Sequence, residues 1–542
     1  MTVINRRKRL RGDRFPLGAV QGAIGAFLTA DAAGAVSAAS VCTTAYRREA
    51  IRRNNGAPLI QAPNWAAATS ILAASETVYG LGSSRPRNSP VIRRHTANNQ
   101  LMLAVITTGT GTTGGTIPTF SLTAPMVDNE VTWVALGIES RVSTPYAAPT
   151  LTVSSGAIPA GYTEYLTVTD ADRFLEEVTV PVASATFNTD KASLGASYNN
   201  GLTSDVGVGV GKDTKIRVVE IETDSADPLF TFWQQGNPIA PIIEVMRGND
   251  GVWRQLSEAP MRTPAVGSTA GWVKCDWGGS RVMSRYRVWL SGSQLYRGIA
   301  VRVGDTIRRP VPLGNVSMHP GDSFNETVEN YLGPVYYMMA AQLSRRLGYD
   351  TPWVVNMGGS GYVATNNGAV RTVSTVLSLN PLTAQGRKPA AIISAAGFND
   401  STLYVADPVA GQAAMSSTLD IALGMTNGPV LAIGPWSSNR NASAVSTPAS
   451  PGANIYATEL ALASVVAAKA NSRLVFLPHC TRSGGSVMNG TGRWSNPAND
   501  GNADFTVGTS AANGGHPSFP GAAFLAQAHG SDGDASLAAL GR

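Results

Sequence analysis

From Phe120 to Pro310 the apolar residues fall in short runs separated by Gly, Pro, Asn and Asp: Val131–Leu136, Lys215–Glu222, Ile242–Met246 and Tyr286–Ser291. These runs are rich in β-branched and aromatic side chains, and none sustains a 3.6-residue period, so each predicts a strand. Such a succession predicts an all-β sandwich, jelly-roll-like in kind. After Pro310 the pattern changes. Helical spacing over Asn325–Leu347, Ile455–Ala470 and Gly521–Ala528 alternates with apolar runs at Trp353–Asn356, Ala390–Ser394, Pro429–Ile433 and Arg473–Leu477. Strands alternating with helices predict a parallel, doubly wound sheet, in which ligands bind outside the carboxyl ends of the strands.

The chain has 542 residues, enough for three or four domains, which excludes a small disulfide-stapled scaffold. Charged residues make up only 14% against 43% hydrophobic, and Gly (57) and Pro (32) are abundant, so the surface is turn-rich and sparsely charged. The three cysteines, Cys42, Cys275 and Cys480, are too far apart for a CxxC metal pair or a disulfide framework.

Charge is concentrated at one end. Residues 1–98 hold 14 Lys and Arg against Asp13, Asp31, Glu49 and Glu76, a local +10 within a net +6, which leaves −4 for the remainder. The cluster Arg6, Arg7, Lys8, Arg9, Arg11 and Arg14 suits an anionic partner, whether nucleic acid, membrane or acidic protein, or an arm docked on a neighbouring subunit. Few aromatics accompany it, which disfavours nucleic acid. The Ala/Gly-rich stretch Phe15–Val41 imitates a secretory signal, but Gln21 and Asp31 interrupt it, and no run approaches the roughly 20 apolar residues of a membrane span. An ordered arm retained in the mature protein is expected. The Thr/Gly-rich segment Thr107–Thr119 reads as a linker. The expected organisation is therefore an attachment or oligomerisation region (1–106), a linker (107–119), a β-sandwich (120–310) and an α/β domain (311–542). Of the ten tryptophans, Trp233, Trp253, Trp272, Trp277 and Trp289 lie in the sandwich region; core packing is the expected role of most, and a sugar-stacking surface is the alternative.

Candidate chemistry gathers just after the strands of the last domain. Gly321-Asp322-Ser323 would put a hydroxyl at a strand-to-helix turn, where a helix N-terminus favours developing negative charge. Asn356-Met-Gly-Gly-Ser-Gly361 and Gly397-Phe-Asn399-Asp400 offer backbone N–H groups and a side-chain amide as fixed donors, and His516-Pro517 supplies a general base. Asp322 and Asp400 are expected to fix turns, and His479 and Cys480 to pack in the core or at the site's rim, since no third ligand suggests a metal. His529 is expected beyond the last helix, without an assigned partner. There is no phosphate-binding or dinucleotide fingerprint.

In order and content these segments resemble the SGNH (GDSL-type) hydrolase family, over about 230 residues from Gly314 to the C-terminus. The resemblance implies a flavodoxin-like sheet with Ser323 as nucleophile and His516 as base. It implies an oxyanion hole formed by the Ser323 N–H, the Gly361 N–H and the Asn399 side chain, and no cofactor or metal. One position departs: the family has an Asp three residues before its His, and this chain has Asn513. Three outcomes follow: a dyad oriented by a backbone carbonyl, an acid recruited from elsewhere such as Asp500 or Asp504, or a weak or inactive enzyme. A working esterase with an atypical orienter is expected.

A β-sandwich ahead of such a domain resembles carbohydrate esterases that act on O-acetylated sugars, which points to acetylated polysaccharide as substrate. The basic arm, β-rich middle and terminal hydrolase together resemble phage tail spikes and fibres. The expectation is a homo-oligomeric virion protein whose arm meets other virion proteins. A secreted bacterial carbohydrate esterase, and a non-catalytic structural or receptor-binding virion protein, are the alternatives.

Overall fold

The computed structural model describes residues 64–71, 76–77, 89–90, 92–97, 100–107, 110–119, 126–138, 149–166, 170–176, 194–195, 217–233, 242–248, 253–256, 270–290, 295–311, 316–322, 339–349, 351–356, 359–365, 372–378, 388–435, 453–482 and 519–539. The basic cluster and the Phe15–Val41 stretch lie outside these.

A short parallel pair, β1 (Glu76–Thr77) and β2 (Ser89–Pro90), precedes an antiparallel sheet of β3 (Ile92–Arg94), β4 (Gln100–Thr107), β5 (Met126–Asp128) and β6 (Val131–Ile138), ordered β3-β4-β6-β5. Because β4 pairs along β6, the Thr/Gly segment between them is a connection inside one sheet. The boundary that composition placed there is corrected. Thr and Gly served the turn, not a spacer: Thr113 donates its hydroxyl to the Ala66 carbonyl (2.6 Å), and the Gly114 N–H reaches Asp128 (2.7 Å). Asp128 also accepts the indole N–H groups of Trp65 (2.8 Å) and Trp133 (2.9 Å), tying residues 64–71 to this sheet.

The sandwich begins at β7. One sheet contains β7 (Thr150–Ser155), β8 (Tyr162–Leu166), β10 (Leu194–Gly195), β12 (Leu229–Trp233), β15 (Ala270–Asp276) and β17 (Leu295–Arg302). The other contains β9 (Leu175–Glu176), β11 (Arg217–Thr223), β13 (Ile242–Arg247), β14 (Arg254–Gln255), β16 (Ser284–Leu290) and β18 (Ile307–Arg308). The orders β10-β17-β12-β15 and β14-β13-β16-β11, between which the chain alternates except at the β13-β14 hairpin, are the connectivity of a jelly roll. Period-two alternation explains the shared core: Val219 and Ile221, Ile243 and Val245, and Tyr286 and Val288 face Phe230, Phe232, Val273, Ile299 and Val301. Trp253, Trp277 and Trp289 are buried.

The intervening residues of the second sheet face outward and are nevertheless buried. Glu220 lies between the guanidinium groups of Arg285 and Arg287, the latter 2.7 Å away. Burial pushes the Glu220 carboxyl up, and the two arginines outweigh it and hold it below its ordinary value. Glu244 accepts the Trp289 indole N–H (2.7 Å) and pairs with Arg345 (2.6 Å), which comes from the α/β domain. Arg287 stacks over Trp253 at 4.1 Å, and Arg345 over Trp289 at 4.9 Å. The sandwich thus braces the first described helix of the α/β domain.

That domain consists of β19 (Val316–Gly321), α1 (Met339–Arg346), β20 (Thr351–Asn356), α2 (Val373–Ser378), β21 (Ala391–Ala395), α3 (Ser401–Ala406), α4 (Pro408–Met425), β22 (Val430–Ile433), α5 (Ala453–Lys469), β23 (Leu474–Leu477) and α6 (Phe519–Ala539). The five strands are parallel in the order β20-β19-β21-β22-β23, the flavodoxin-like 2-1-3-4-5 winding. Val373 and Leu377 of α2, Met415 and Leu419 of α4, and Leu462 and Val465 of α5 pack with Met318, Ile392 and Val430 on one face. On the other face α6 packs against α1. One helix expectation agrees at its described end, and another is corrected. The first described helix is Met339–Arg346, with residues 323–338 outside the described set. The last runs to Ala539, so His529 lies inside it. Gly530 and Gly533 lie inside α6, where it meets α1 and the residue that follows α1. A Cβ on Gly530 would strike the Arg346 side chain, and one on Gly533 would come within 3.0 Å of Leu347.

Candidate active site

The register of the parallel sheet aligns Gly321 with Asn356 on one side and Ala395 on the other. The three motif-bearing segments therefore leave the sheet at one edge. They flank the β19/β21 junction, where the winding reverses and a crevice opens in this topology. Asp322 is buried, its N–H directed at the Ala395 carbonyl at 3.4 Å. Ser323 is the next residue; it lies outside the described residues, as do Asn513 and His516, the latter three positions before α6.

The other two motifs meet. The Asn399 side-chain amide donates to the Ser360 carbonyl at 2.9 Å, bridging the loops after β21 and β20. The fully buried Asp400 carboxylate accepts three consecutive backbone N–H groups, from Tyr362 (2.6 Å), Val363 (2.8 Å) and Ala364 (2.7 Å). Asp400 therefore fixes a turn, as expected, though not its own: the turn it holds belongs to a different strand's loop. Tyr362 anchors that loop by burying its ring in the core. Burial pushes its hydroxyl up, and the nearby Asp400 and Asp322 charges act in the same direction.

Gly361 was expected to offer its N–H to an oxyanion. Here that N–H closes the turn on the Ala364 carbonyl (2.9 Å), and its own carbonyl accepts from Val373 (2.9 Å). Its clearer role is steric, because a Cβ at 361 would fall onto the Asp400 carboxylate. Gly361→Ala is expected to destabilise the domain by about 1–3 kcal/mol, measured by urea denaturation, as overpacking of a rigid site does. A midpoint equal to wild type would show that the turn yields freely.

Sequence reading missed a second buried carboxylate. Glu459 of α5 accepts the backbone N–H groups of His479 (3.1 Å), Cys480 (2.7 Å) and Thr481 (2.8 Å), and the Thr481 hydroxyl (2.7 Å), fixing the loop after β23. No local signal marks it, since its partners lie about twenty positions away. His479 Nδ1 is 3.2 Å from His529 Nε2 of α6, with both rings buried. Burial pushes His479 well down and His529 to about 3. His319, bonded through Nε2 to the Ser317 hydroxyl (2.8 Å), is likewise pushed to about 3 by burial. His479 and Cys480 are thus packed groups, as expected, and His529 gains the partner it lacked in the sequence reading. Among the described residues no group of three or more His, Cys, Asp or Glu is arranged to hold a metal, and no helix is long and apolar enough to cross a membrane.

No known family profile matches the chain, and no curated protein matches it. Solved structures do. A family two carbohydrate esterase from Clostridium thermocellum in complex with cellohexaose is 14% identical over 60% of this chain and 94% of its own, with a TM-score of 0.40. A family two carbohydrate esterase from Cellvibrio japonicus is 11% identical over 69% and 98%, TM-score 0.40. A GDSL-like lipase from Bacteroides ovatus is 14% identical over 59% and 84%, TM-score 0.39. The structures to which this chain is similar thus include carbohydrate esterases and a GDSL-like lipase, at low identity and over part of its length.

Proposed function

We propose that this protein is a serine ester hydrolase acting on O-acylated carbohydrate, with Ser323 as nucleophile and His516 as base. The observation that carries the reading is the convergence of the Gly321-Asp322, Ser360-Gly361 and Asn399-Asp400 segments at the β19/β21 edge, with Asn399 bonded across to Ser360. In this mechanism the Ser323 hydroxyl attacks the ester carbonyl while His516 takes its proton. The resulting oxyanion is received by the Ser323 N–H and by the Asn399 amide hydrogen not bonded to Ser360. Gly361 joins them only when its bond to Ala364 opens. Collapse expels the alcohol, which takes the proton from His516, and water then hydrolyses the acyl-enzyme. Asn513 orients the imidazole by hydrogen bonding without a negative charge, a weaker arrangement than a carboxylate in the serine-protease template.

The test is p-nitrophenol release from p-nitrophenyl acetate, and acetate release from acetylated polysaccharide. Wild type should turn over, and Ser323→Ala and His516→Ala should fall to background. Equal inactivity of all three on both substrates would favour the second reading, a structural or receptor-binding protein that kept the fold, for which Asn513 is the supporting feature. The proposal extends to location: a homo-oligomeric component of a virion, docked by its arm on an acidic partner, because the +10 of residues 1–98 suits such a surface. Co-purification of the full chain, but not of one lacking residues 1–63, with particles would support it; equal recovery would oppose it.

A further inference from the structure

We propose that Asp400 is a positioning residue for the oxyanion-binding amide of Asn399, an inference that rests on the esterase reading above. The two neighbours grip one loop from opposite chemical sides. Asn399 donates to the Ser360 carbonyl (2.9 Å), and Asp400 accepts from Tyr362, Val363 and Ala364 (2.6, 2.8 and 2.7 Å). One Asn399 amide hydrogen is thereby fixed on Ser360, and the trigonal geometry of the amide dictates where the second points. The direction of that second hydrogen depends on where the Ser360 carbonyl sits, and the carbonyl's place depends on the turn that Asp400 holds. A carboxylate is required because three N–H groups converge on it. An Asn side chain of the same size has one acceptor oxygen and would turn its own N–H₂ toward a backbone donor. With Asp400 fully buried and charge-assisted hydrogen bonds on both oxygens, the clamp is stiff enough to preset a donor before substrate arrives. Asp400 touches neither substrate nor reacting atoms and acts only through Asn399.

The deciding experiment is a double-mutant cycle on p-nitrophenyl acetate with Asp400→Asn and Asn399→Ala, alone and together, beside Ser323→Ala and with thermal melts of every variant. Asp400→Asn should lower kcat by about ten- to a hundredfold with KM within about threefold, less than the loss of a whole oxyanion donor. In the Asn399→Ala background the same substitution should lower kcat by less than about threefold, since the group it positions is gone. A purely structural role would multiply the two losses instead. Multiplicative losses, or an Asp400→Asn variant with wild-type kcat, would overturn the inference while Ser323-dependent turnover kept the esterase reading intact. Turnover indifferent to Ser323, or none at all, would overturn both. If Asp400→Asn does not fold, Gly361→Ala, which presses a methyl group onto the same carboxylate, enters the cycle in its place with the same expected non-additivity.

Discussion

Lowering the pH from 7 to 4.5 is expected to remove about 5 kcal/mol of stability through His319 and His529 alone. Both are buried without charge and pushed to about 3, against an ordinary value of 6.5. Above pH 6.5 the folded and unfolded chains hold the same protons at these sites, so nothing is lost there. Below it the unfolded chain gains protons that the folded chain refuses, and stability falls by about 1.4 kcal/mol per histidine per pH unit until the folded values near 3 are reached. His479, pushed well down by burial, with the His529 and Arg482 charges acting the same way, adds in the same direction. Glu220, held below its ordinary 4.5, contributes only at lower pH still. Since small-protein stability is typically about 5–15 kcal/mol, the α/β domain should melt cooperatively between about pH 5 and 4. Urea titrations at pH 7, 5.5 and 4.5 check this, and a change under about 1 kcal/mol would refute it. His529→Gln should reduce the steepness of the pH dependence, whatever it does to stability at neutral pH.

Glu244→Ala should be the most damaging single change at the junction of sandwich and α/β domain, by about 3–5 kcal/mol. It would leave Arg345, a buried guanidinium from α1, without its carboxylate at 2.6 Å and remove the acceptor of the Trp289 indole. The loss arises less from the attraction forfeited than from a cation left in a dry site. Glu244→Met combined with Arg345→Met should recover the part due to the buried guanidinium, because it removes that charge together with its partner, while the loss of the acceptor for the Trp289 indole N–H remains. Urea denaturation followed by tryptophan fluorescence reads both variants. A double variant as weak as Glu244→Ala would mean that shape, not charge, holds the junction.

Much of the α/β layer was legible in advance. The runs at Trp353–Asn356, Ala390–Ser394, Pro429–Ile433 and Arg473–Leu477 all became strands within a residue or two, because buried parallel strands are written as local apolar runs. The segments beginning at Asp322, after Asn356 and at Gly397 follow β19, β20 and β21, and carry Gly or Asn where a turn needs it. α6 runs past the expected Ala528 because its glycines at 530 and 533 pack on Arg346 of α1 and on Leu347 just after it, far away in sequence. The Thr/Gly segment was misread because turn composition is the same whether the turn joins strands of one sheet or two domains.

By itself, then, the sequence determined the alternation of strands and helices and the sandwich ahead of the α/β layer, both properties of periodicity and nearest neighbours. The tertiary structure alone decided that Asp400 holds a turn nearly forty residues away, that Glu459 does the same for the loop after β23, and that the Gly361 N–H faces its own loop. It likewise decided that Glu244 meets Arg345 across about a hundred residues. A buried carboxylate takes whatever donors the fold brings within 3 Å, and that choice depends on strand order and register, which no local pattern of side chains encodes.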